Sequence, residues 1–360
     1  MARPLGSLNL GALMAGDLSD FRSDTVTLPS ARMRKAIAQA EVGDDVLDGD
    51  PSVRRLEAAG AEWLGKEEAL YVPSGTMANQ IAIGVWTRPG DEIICEAESH
   101  VLRWEGGAVG ANHGVQTVTP VGDEGGVLDR ATVESLIRPE SLHCPRTGLL
   151  CLEQTHMGSG GRVQPLERFD EAALGARDRG VRVHLDGARL ANAVVASGIP
   201  ASRWTMSVDS VSLCLSKGLG APVGSLVAGS SEFVEAARGL RKRFGGWMRQ
   251  AGLLAVAGQI ALQENVERLA EDHALARSLA EELDAIEGLS CPVTRIETNI
   301  VLVGVDHPEL TANEVAEAFG RYGVRVMALG PDDLRFVTHM DVGPDDVERT
   351  VRAARSIFRS

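Results

Sequence analysis

Short apolar segments alternate with amphipathic segments over much of the chain from residue 69 onward, and this alternation limits the fold most strongly. Seven of the apolar segments are predicted strands: residues 70–72, 92–95, 116–121, 149–152, 181–185, 208–215 and 226–228. Such alternation indicates an α/β fold, in which a mostly parallel seven-stranded sheet is covered by helices on both faces. Because ligands bind at the carboxyl ends of such strands, the polar residues that follow them are candidates for a functional site.

The C-terminal part of the chain has a different pattern. Residues 231–287 are helical and charged, and later strands are predicted near 298–303, 324–327 and 334–338, with helices near 312–319 and 344–358. We therefore predict an N-terminal arm at 1–19, a large domain at 20–265 and a small C-terminal α+β domain at 266–360, with which the N-terminal segment can pack. Ser30 and Asp50 are predicted helix caps, and Pro51 begins the helix after Asp50.

Charge and cysteine content argue against several classes of protein. A net charge of −14 argues against binding to nucleic acid, because few cations are available to replace the counterions of a phosphate backbone. The first twenty residues lack the pattern of a secretory signal, and no apolar run is long enough to span a membrane. No Cys-x-x-Cys pair occurs, and the pattern predicts reduced thiols in a cytoplasmic protein for the five cysteines, Cys95, Cys144, Cys151, Cys214 and Cys291.

Lys217 is the first candidate for chemistry, because it follows the predicted buried strand at 208–215 and precedes glycines. A partly desolvated lysine amine at a strand end can attack a carbonyl group and form a Schiff base. For an isolated Ser-Lys-Gly, the simpler interpretation is a surface lysine beside a flexible loop. A catalytic role for Lys217 is therefore supported only by the polar clusters elsewhere in the chain.

The segment Ser-Gly-Thr-Met-Ala-Asn at residues 74–79 follows a predicted strand and begins a helix. Free backbone N–H groups at a helix start, with a glycine and small hydroxyl side chains, form a cradle for an anion such as phosphate. The segment is not a Walker loop, because the Gly-Lys-Ser/Thr ending is absent. An ordinary helix cap is an equally good interpretation of this segment alone.

Asp186 and Arg189 follow the strand predicted at 181–185. A buried Asp186 needs a cationic partner, and the protonated nitrogen of a pyridine ring is one such partner. Arg189 can bind a substrate carboxylate through two hydrogen bonds. An internal ion pair between Asp186 and Arg189, placed at the start of the next helix, explains the same residues equally well.

Two histidines, His100 and His156, also follow predicted strands. A single histidine in such a place is more often structural than catalytic. Two of them beside Lys217 and Asp186 make a general base plausible. No metal site is predicted.

Together these clusters resemble the pyridoxal-phosphate enzymes of the aspartate aminotransferase fold (fold type I), and more closely the low-specificity L-threonine aldolases. The resemblance runs from about residue 20 to the C-terminus. Its matching segments are residues 22–27, 43–46, 74–79, 184–189, 214–225, 248–250 and 335–339. It implies a large domain that binds pyridoxal 5'-phosphate and an aldehyde-lyase activity on amino acids.

The resemblance also implies a role for each matching residue of the cofactor site. Lys217 would bind the cofactor covalently, Asp186 would pair with the pyridine nitrogen, and His100 would stack on the ring. Gly75 and Thr76 would bind the phosphate.

Further roles concern the neighbouring subunit and the substrate. Lys242 and Arg249 match positions that help to bind the phosphate of a neighbouring subunit, which implies a dimer or, as we predict, a homotetramer with shared active sites. The substrate's carboxylate would contact Ser23, Arg189 and Arg335. Of these three, Arg189 would also contact the cofactor. Either His156 or His100 would accept the proton of the β-hydroxyl group, and the products would be glycine and an aldehyde.

Three residues depart from the pattern of the family. Leu47 replaces a tyrosine at the edge of the active site, Met157 replaces an asparagine, and Trp247 replaces a glycine. These departures alter the predicted pocket wall and leave the cofactor set intact. A substrate with a larger β-substituent, such as phenylserine, is therefore an alternative to threonine.

Two other functions are compatible with the same residues. The first is a different reaction on the same scaffold, β-elimination or racemisation, since Lys217 and the cofactor permit both. The second is a phosphate-binding module without catalysis. The module has less support, because it does not need Lys217, Asp186, Arg189 and Arg335 together.

Overall fold

The computed structural model describes residues 18–307 and 309–359. Within them the strands are β1 (Ser19–Asp20), β2 (Glu68–Val72), β3 (Glu92–Cys95), β4 (Gln116–Val118), β5 (Thr147–Glu153), β6 (Arg182–Asp186), β7 (Ser210–Cys214), β8 (Ser225–Gly229), β9 (Leu289–Ser290), β10 (Ile300–Val305), β11 (Val324–Arg325), β12 (Met327–Ala328) and β13 (Asp333–Val337). The helices are α1 (Ala31–Ala38), α2 (Pro51–Leu64), α3 (Gly75–Trp86), α4 (His100–Arg103), α5 (Ala108–His113), α6 (Arg130–Leu136), α7 (Leu166–Arg177), α8 (Leu190–Ser197), α9 (Ala201–Trp204), α10 (Ser231–Arg243), α11 (Gly252–Glu264), α12 (Leu269–Asp284), α13 (Ala312–Arg321) and α14 (Pro344–Ile357). None of these helices combines the length and the apolar character needed to cross a membrane.

The larger compact unit, residues 27–270, is built on a seven-stranded sheet. The strand order is β2-β8-β7-β6-β5-β3-β4, and all of the strands except β8 run in the same direction. The predicted α/β class, the mostly parallel sheet and the positions of its seven strands are confirmed. Strand β4 is shorter than predicted, because it ends at Val118, two residues before Pro120, whose nitrogen cannot donate to a neighbouring strand.

Burial explains why the strands of this unit are apolar. Strands β3, β5, β7 and β8 are buried at every residue, because helices cover both faces of the sheet. The largest hydrophobic cluster of the unit includes Phe169 and Trp204, whose rings meet edge to face at 5.9 Å. This core fixes the strand ends that carry the candidate site residues.

The starts of two helices follow the predicted caps. The Ser30 side chain accepts a hydrogen bond from the Met33 N–H at the start of α1. Asp50 is fully buried, and its side chain accepts hydrogen bonds from the N–H groups of Ser52 and Val53 at the start of α2. Both caps are confirmed.

The smaller compact unit contains residues 18–26 and 271–359. It has a four-stranded sheet in the order β12-β13-β10-β9, and β1 pairs with β11 in parallel. Its core includes Phe336, which contacts both Phe21 and Phe319 edge to face. The predicted α+β character of this part of the chain agrees with these elements.

The two compact units differ from the predicted division of the chain in two places. Residues 20–26 join the smaller unit, although the large domain was predicted to begin at residue 20, and the later boundary lies after residue 270 instead of residue 265. The first difference has a physical cause, because β1 takes its hydrogen-bonding partner from β11. Residues 1–17 of the predicted arm lie outside the described residues. The last residue of that arm, Ser19, belongs to β1.

Candidate active site

Two neighbouring parallel strands end in carboxylates at one edge of the large sheet. Asp186 is the last residue of β6, and Glu153, the last residue of β5, lies beside it in register. On the other side of Asp186 lies Ser212 of β7, five residues before Lys217. The strand ends therefore bring Asp186, Glu153 and the Lys217 segment to the same edge of the sheet.

Asp186 is buried and its carboxylate accepts several hydrogen bonds. Oδ2 accepts from Asn79 Nδ2 at 2.7 Å, and Oδ1 accepts from the Ala188 N–H at 3.0 Å. Burial on its own raises the pKa of Asp186, but the positive charges of His100 and Lys217 lower it, and the net direction is downward. Asp186 is therefore held as a carboxylate.

The amide of Asn79 connects Asp186 to a buried polar network. Asn79 Oδ1 accepts hydrogen bonds from Ser212 Oγ at 2.9 Å and from His184 Nε2 at 3.1 Å. Burial lowers the pKa of His184 to about 4, so its ring is neutral. The sequence did not indicate that Asn79 and His184 belong to this network. The one available indication was that His184, a polar residue, lies within a predicted buried strand.

His100 lies at the start of α4 and is held at two atoms. Its backbone N–H donates to Glu153 Oε2 at 2.7 Å, and its Nδ1 lies 3.0 Å from Glu105 Oε1. Burial lowers the pKa of His100, while the carboxylates of Glu105 and Asp186 raise it, and the net direction is upward. Among the described residues, none is in hydrogen-bonding position to Nε2. That nitrogen is the one His100 can use in chemistry.

His156 is held at both ring nitrogens. Nε2 lies 3.1 Å from Glu96 Oε2, and Nδ1 accepts a hydrogen bond from the Ser159 N–H at 3.2 Å. Burial lowers the pKa of His156 and the hydrogen bond to Glu96 raises it, with a net increase. The Ser159 N–H opposes a second proton on Nδ1. Both nitrogens of this buried ring are thus committed to contacts within the protein.

The start of α3 has the features of the predicted anion cradle. Ser74 caps the helix by accepting from the Met77 N–H, and within the described residues no group accepts from the N–H of Gly75 or Thr76. A Cβ at Gly75 would lie 2.5 Å from Cys214 Sγ, so a larger residue does not fit there. The cradle therefore offers two free backbone donors beside the end of β7.

Lys217 lies three residues beyond β7 in a tight glycine turn. The Gly220 N–H donates to the Lys217 carbonyl oxygen at 2.8 Å, and Gly220 has a positive φ of 76° that favours glycine. The side chain of Lys217 is partly exposed, and within the described part of the chain no hydrogen bond or ion pair holds its Nζ.

These groups fit pyridoxal phosphate by the chemistry of their donor set. The amine of Lys217 matches the aldehyde, the carboxylate of Asp186 matches the ring nitrogen, and the N–H groups of Gly75 and Thr76 match the phosphate. All four belong to the same compact unit. The residues present can therefore hold the cofactor.

The remaining predicted residues lie in three places. Arg189 is buried at the N-terminal cap of α8. Lys242 and Arg249 are exposed, and Arg249 Nη1 lies 3.2 Å from Asp44 Oδ1. In the smaller unit, Arg335 is buried on β13 and donates through Nη2 to the Arg22 carbonyl oxygen at 3.1 Å, one residue from Ser23.

The three departures from the family pattern lie in different surroundings. Leu47 is 75% exposed. Met157 is buried, and its N–H donates to Glu153 Oε1. The indole N–H of Trp247 donates to Asp45 Oδ2 at 2.7 Å, and its ring stacks under the guanidinium of Arg241.

His100, Glu105 and Asp186 each offer a potential metal ligand, and these atoms lie within 4.8 Å of one another. However, Asn79 Nδ2 donates to both carboxylates, at 2.8 Å and 2.7 Å. An N–H donor between the two carboxylates takes the place that a cation would need.

Comparison with known proteins gives similar sequences over almost the whole chain. A probable low-specificity L-threonine aldolase 2 from Arabidopsis thaliana is 44% identical over 345 residues, which are 95% of this chain and 97% of that protein. The low specificity L-threonine aldolase of Escherichia coli K12 is 40% identical over 330 residues, 91% of this chain and 96% of its own.

Solved structures share the fold. A threonine aldolase from Leishmania major matches with a TM-score of 0.79 and 20% identity over 94% of this chain and 99% of its own. The aspartate aminotransferase of Rhizobium meliloti matches with a TM-score of 0.69 and 16% identity over 94% and 90%. The predicted fold type is thereby confirmed.

A family model described as beta-eliminating lyase matches residues 20–307. This range contains every predicted site residue of the larger unit. The chain therefore belongs to the beta-eliminating lyase family, in the group that contains the low-specificity L-threonine aldolases.

Proposed function

We propose that this protein is a pyridoxal-phosphate-dependent aldolase, a carbon–carbon lyase that cleaves L-threonine, L-allo-threonine and related β-hydroxy-α-amino acids to glycine and an aldehyde. The observation that carries the proposal is the grouping of His100, Asp186 and Lys217 at one edge of the sheet, where the positive charges of His100 and Lys217 lower the pKa of Asp186. The names of relatives at 40% identity or more support the reaction type.

The cofactor supplies an electron sink for the electron pair of the broken Cα–Cβ bond. Lys217 would provide the amine for covalent attachment, and the carboxylate of Asp186 would hold a proton on the ring nitrogen. The free N–H groups of Gly75 and Thr76 at the start of α3 would donate to the phosphate. The Lys217 side chain is partly exposed, the N–H groups of Gly75 and Thr76 have no acceptor among the described residues, and Asp186 is held as a carboxylate.

The proton of the substrate's β-hydroxyl group needs a base, and we assign that role to His100. Its Nε2 is open, whereas the two ring nitrogens of His156 are occupied by Glu96 and by the Ser159 N–H. His156 instead supports the loop after β5. For the substrate carboxylate, Ser23, Arg189 and Arg335 stay predictions.

The substrate preference has one alternative, which rests on the departures from the family pattern. Leu47 is largely exposed, and Trp247 is fixed by Asp45 and Arg241. By the resemblance these positions form the pocket wall, where Leu47 is more apolar than the tyrosine and Trp247 is larger than the glycine of the family pattern. A preference for phenylserine over threonine is therefore the second candidate.

We also propose a homotetramer with shared active sites. The support is that Lys242 and Arg249 are exposed and match positions that act on a neighbouring subunit's cofactor. The cytoplasmic location stays a prediction, with which the unpaired state of the five cysteines is compatible.

The test is aldehyde release from L-threonine, L-allo-threonine and L-phenylserine by the wild type and by Lys217→Ala, with the exposed Lys35→Ala as a matched control. We expect aldehyde and glycine from the wild type and the control, and none from Lys217→Ala. Pyruvate or another 2-oxo acid with ammonia, in place of aldehyde, would mean β-elimination and would overturn the assignment. The substrate ranking decides between threonine and phenylserine.

A further inference from the structure

Glu105 is a buried carboxylate beside the proposed base that no sequence pattern pointed to. Its side chain is completely shielded from solvent. Oε1 accepts from Asn79 Nδ2 at 2.8 Å and lies 3.0 Å from His100 Nδ1, while Oε2 accepts from Gln80 Nε2 at 2.7 Å. Burying a carboxylate costs free energy unless hydrogen-bond donors satisfy its oxygens, and both oxygens of Glu105 have such donors. Both oxygens of Glu105 therefore act as acceptors, and one of them lies next to Nδ1 of His100.

The position of Glu105 decides which nitrogen of His100 carries the proton. A carboxylate oxygen that already receives an N–H from Asn79 can only accept from the imidazole, so Nδ1 must be the protonated nitrogen. The lone pair of the neutral ring then lies on Nε2. This is the nitrogen for which the described residues provide no partner.

We propose that Glu105 is the positioning residue of His100: it fixes the Nδ1–H tautomer, leaves Nε2 as the proton acceptor, and stabilises the ring after Nε2 has taken the substrate's hydroxyl proton. The inference rests on the proposed function only for the identity of that proton. In the step, the O–H bond of the β-hydroxyl breaks, the proton joins Nε2, and its electron pair stays on the oxygen that becomes the aldehyde oxygen. A carboxylate behind an imidazole acts in this way in other general-base pairs.

Other charged groups also face His100 and enter its titration. Asp186 and Glu153 are buried carboxylates on β6 and β5, and Lys217 is the nearby cation from the segment after β7. Among the residues that the structure describes, only Glu105 lies within hydrogen-bonding distance of a ring nitrogen of His100. Asn79 donates to Glu105 and Asp186 together, so one amide sets the position of the carboxylate behind the base and of the carboxylate assigned to the cofactor ring.

The substitution Glu105→Gln removes the charge with little change of shape. The new side-chain oxygen can still accept from Asn79 and His100, and its NH₂ group would face Gln80. Gln80 Oε1 is buried without a hydrogen-bonding partner among the described residues, so a rotation of the Gln80 amide lets Oε1 accept from the new NH₂ group. The matched control is Glu92→Gln, which changes another fully buried carboxylate, at the amino end of β3, bonded to Arg138 and Thr147.

The experiment has two readouts. In the cofactor-free protein, ¹⁵N-histidine NMR, assigned with His100→Asn, reports the tautomer and the titration of His100. In the loaded enzyme, kcat is measured against pH. In the wild type we expect Nδ1–H to be the major tautomer of His100. For Glu105→Gln we expect His100 to titrate at a lower pH, because the charge beside Nδ1 is removed while the amide oxygen still accepts from Nδ1–H. We also expect kcat to fall about 10²-fold with a smaller change in KM, and the acidic limb of kcat to move to lower pH.

A wild-type His100 with Nε2–H as its major tautomer, or an unchanged titration of His100 in Glu105→Gln, would overturn the proposal, as would an equal loss of kcat in Glu92→Gln. The failure of the proposed function would look different. In that case the wild type would release no aldehyde, while the NMR measurement would still show whether Glu105 controls His100.

Discussion

At the scale of single residues, the two histidines near the site have opposite surroundings. His100 contacts a carboxylate at Nδ1 and leaves Nε2 open, whereas His156 uses one nitrogen as donor to Glu96 and the other as acceptor from the Ser159 N–H. Both follow strands of the sheet, so their positions in the sequence could not separate them. Their partners come from residues close in space and assign different roles to them.

We predict that His100→Asn and His156→Asn have different effects. His100→Asn should lower kcat for threonine cleavage by about 10² to 10⁴-fold, because it removes the base. His156→Asn should lower the free energy of unfolding by about 1–3 kcal/mol, because Glu96 loses a buried partner, with a smaller effect on kcat. Steady-state kinetics and urea unfolding of both variants check this, and the reverse order of effects on kcat would contradict it.

The sequence placed some residues of the site and missed others for a physical reason. Lys217, Asp186 and His100 could be found because each follows a predicted strand, and parallel strands bring their carboxyl ends together. Glu105 and His184 could not, because their roles come from hydrogen bonds through Asn79, which is 26 and 105 residues away from them. Such contacts have no local signature.

At the scale of elements, Asp50 joins three segments of the larger unit. Its Oδ1 caps α2 at Ser52 and Val53, and its Oδ2 accepts from the N–H groups of Gly43 and Gly252, at 3.1 Å and 2.9 Å. The sequence predicted the cap. It could not predict the two other bonds, which depend on the path of the loop at Gly43 and on the position of α11.

We predict that Asp50→Ala lowers the free energy of unfolding by about 3 kcal/mol, because it leaves buried N–H groups without acceptors. Asp50→Asn should cost less, because its oxygen can still cap α2. The exposed neighbour Asp48→Ala is the control and should change stability by less than about 0.5 kcal/mol. Chemical denaturation measures all three, and equal stability of Asp50→Ala and Asp48→Ala would contradict the assignment.

Glu57 on α2 couples the packing of α2 against β2 to pH. Its Oε1 accepts from the Tyr71 N–H at 2.8 Å, and burial raises the pKa of Glu57 from 4.5 to about 7. Because the folded state holds this proton more tightly than the unfolded state, the stabilisation is present in full below pH 4.5. It is lost as the pH rises to about 7.

We therefore predict that Glu57→Gln flattens the pH dependence of stability. The free energy of unfolding of the wild type should fall relative to that of the variant by about 3 kcal/mol between pH 4.5 and pH 7. Urea unfolding at several pH values measures the difference, with the exposed Glu62→Gln on the same helix as control. A difference that stays constant across this range would show that Glu57 does not bind a proton in the folded state.

Strand positions in the large sheet followed from composition, but strand direction did not. The segment at 226–228 was predicted from its apolar residues, and the structure shows β8 running antiparallel to both β2 and β7. An apolar strand that is buried on both faces has the same pattern in either direction. Only the connection between β7 and β8 distinguishes a parallel from an antiparallel strand, because it is too short for the crossover that a parallel neighbour needs.

At the scale of the whole molecule, the division into compact units combines distant parts of the chain. Ser19 pairs with Val324, so the residues before the large unit complete the smaller one. A two-residue strand carries almost no sequence signal, which is why the prediction assigned residues 20–26 to the large domain.

We predict that the active sites are shared between subunits through Arg249. Lys217→Ala and Arg249→Gln should each be inactive or strongly impaired alone. In hybrids formed by unfolding and refolding an equal mixture, half of the dimers contain both variants, and each of these has one intact site. The mixture should therefore regain about one quarter of the wild-type aldehyde release. No regain would mean that Arg249 acts within its own subunit.

The most direct test of the account is to identify the lysine that binds the cofactor. The sequence contains four lysines, Lys35, Lys66, Lys217 and Lys242. Reduction of the loaded protein with borohydride fixes pyridoxal phosphate to its lysine, and peptide mass spectrometry then locates it. We predict a single modified peptide that contains Lys217. Modification of another lysine, or none in a protein that has bound the cofactor, would contradict the central claim that the chemistry of this chain is organised around Lys217.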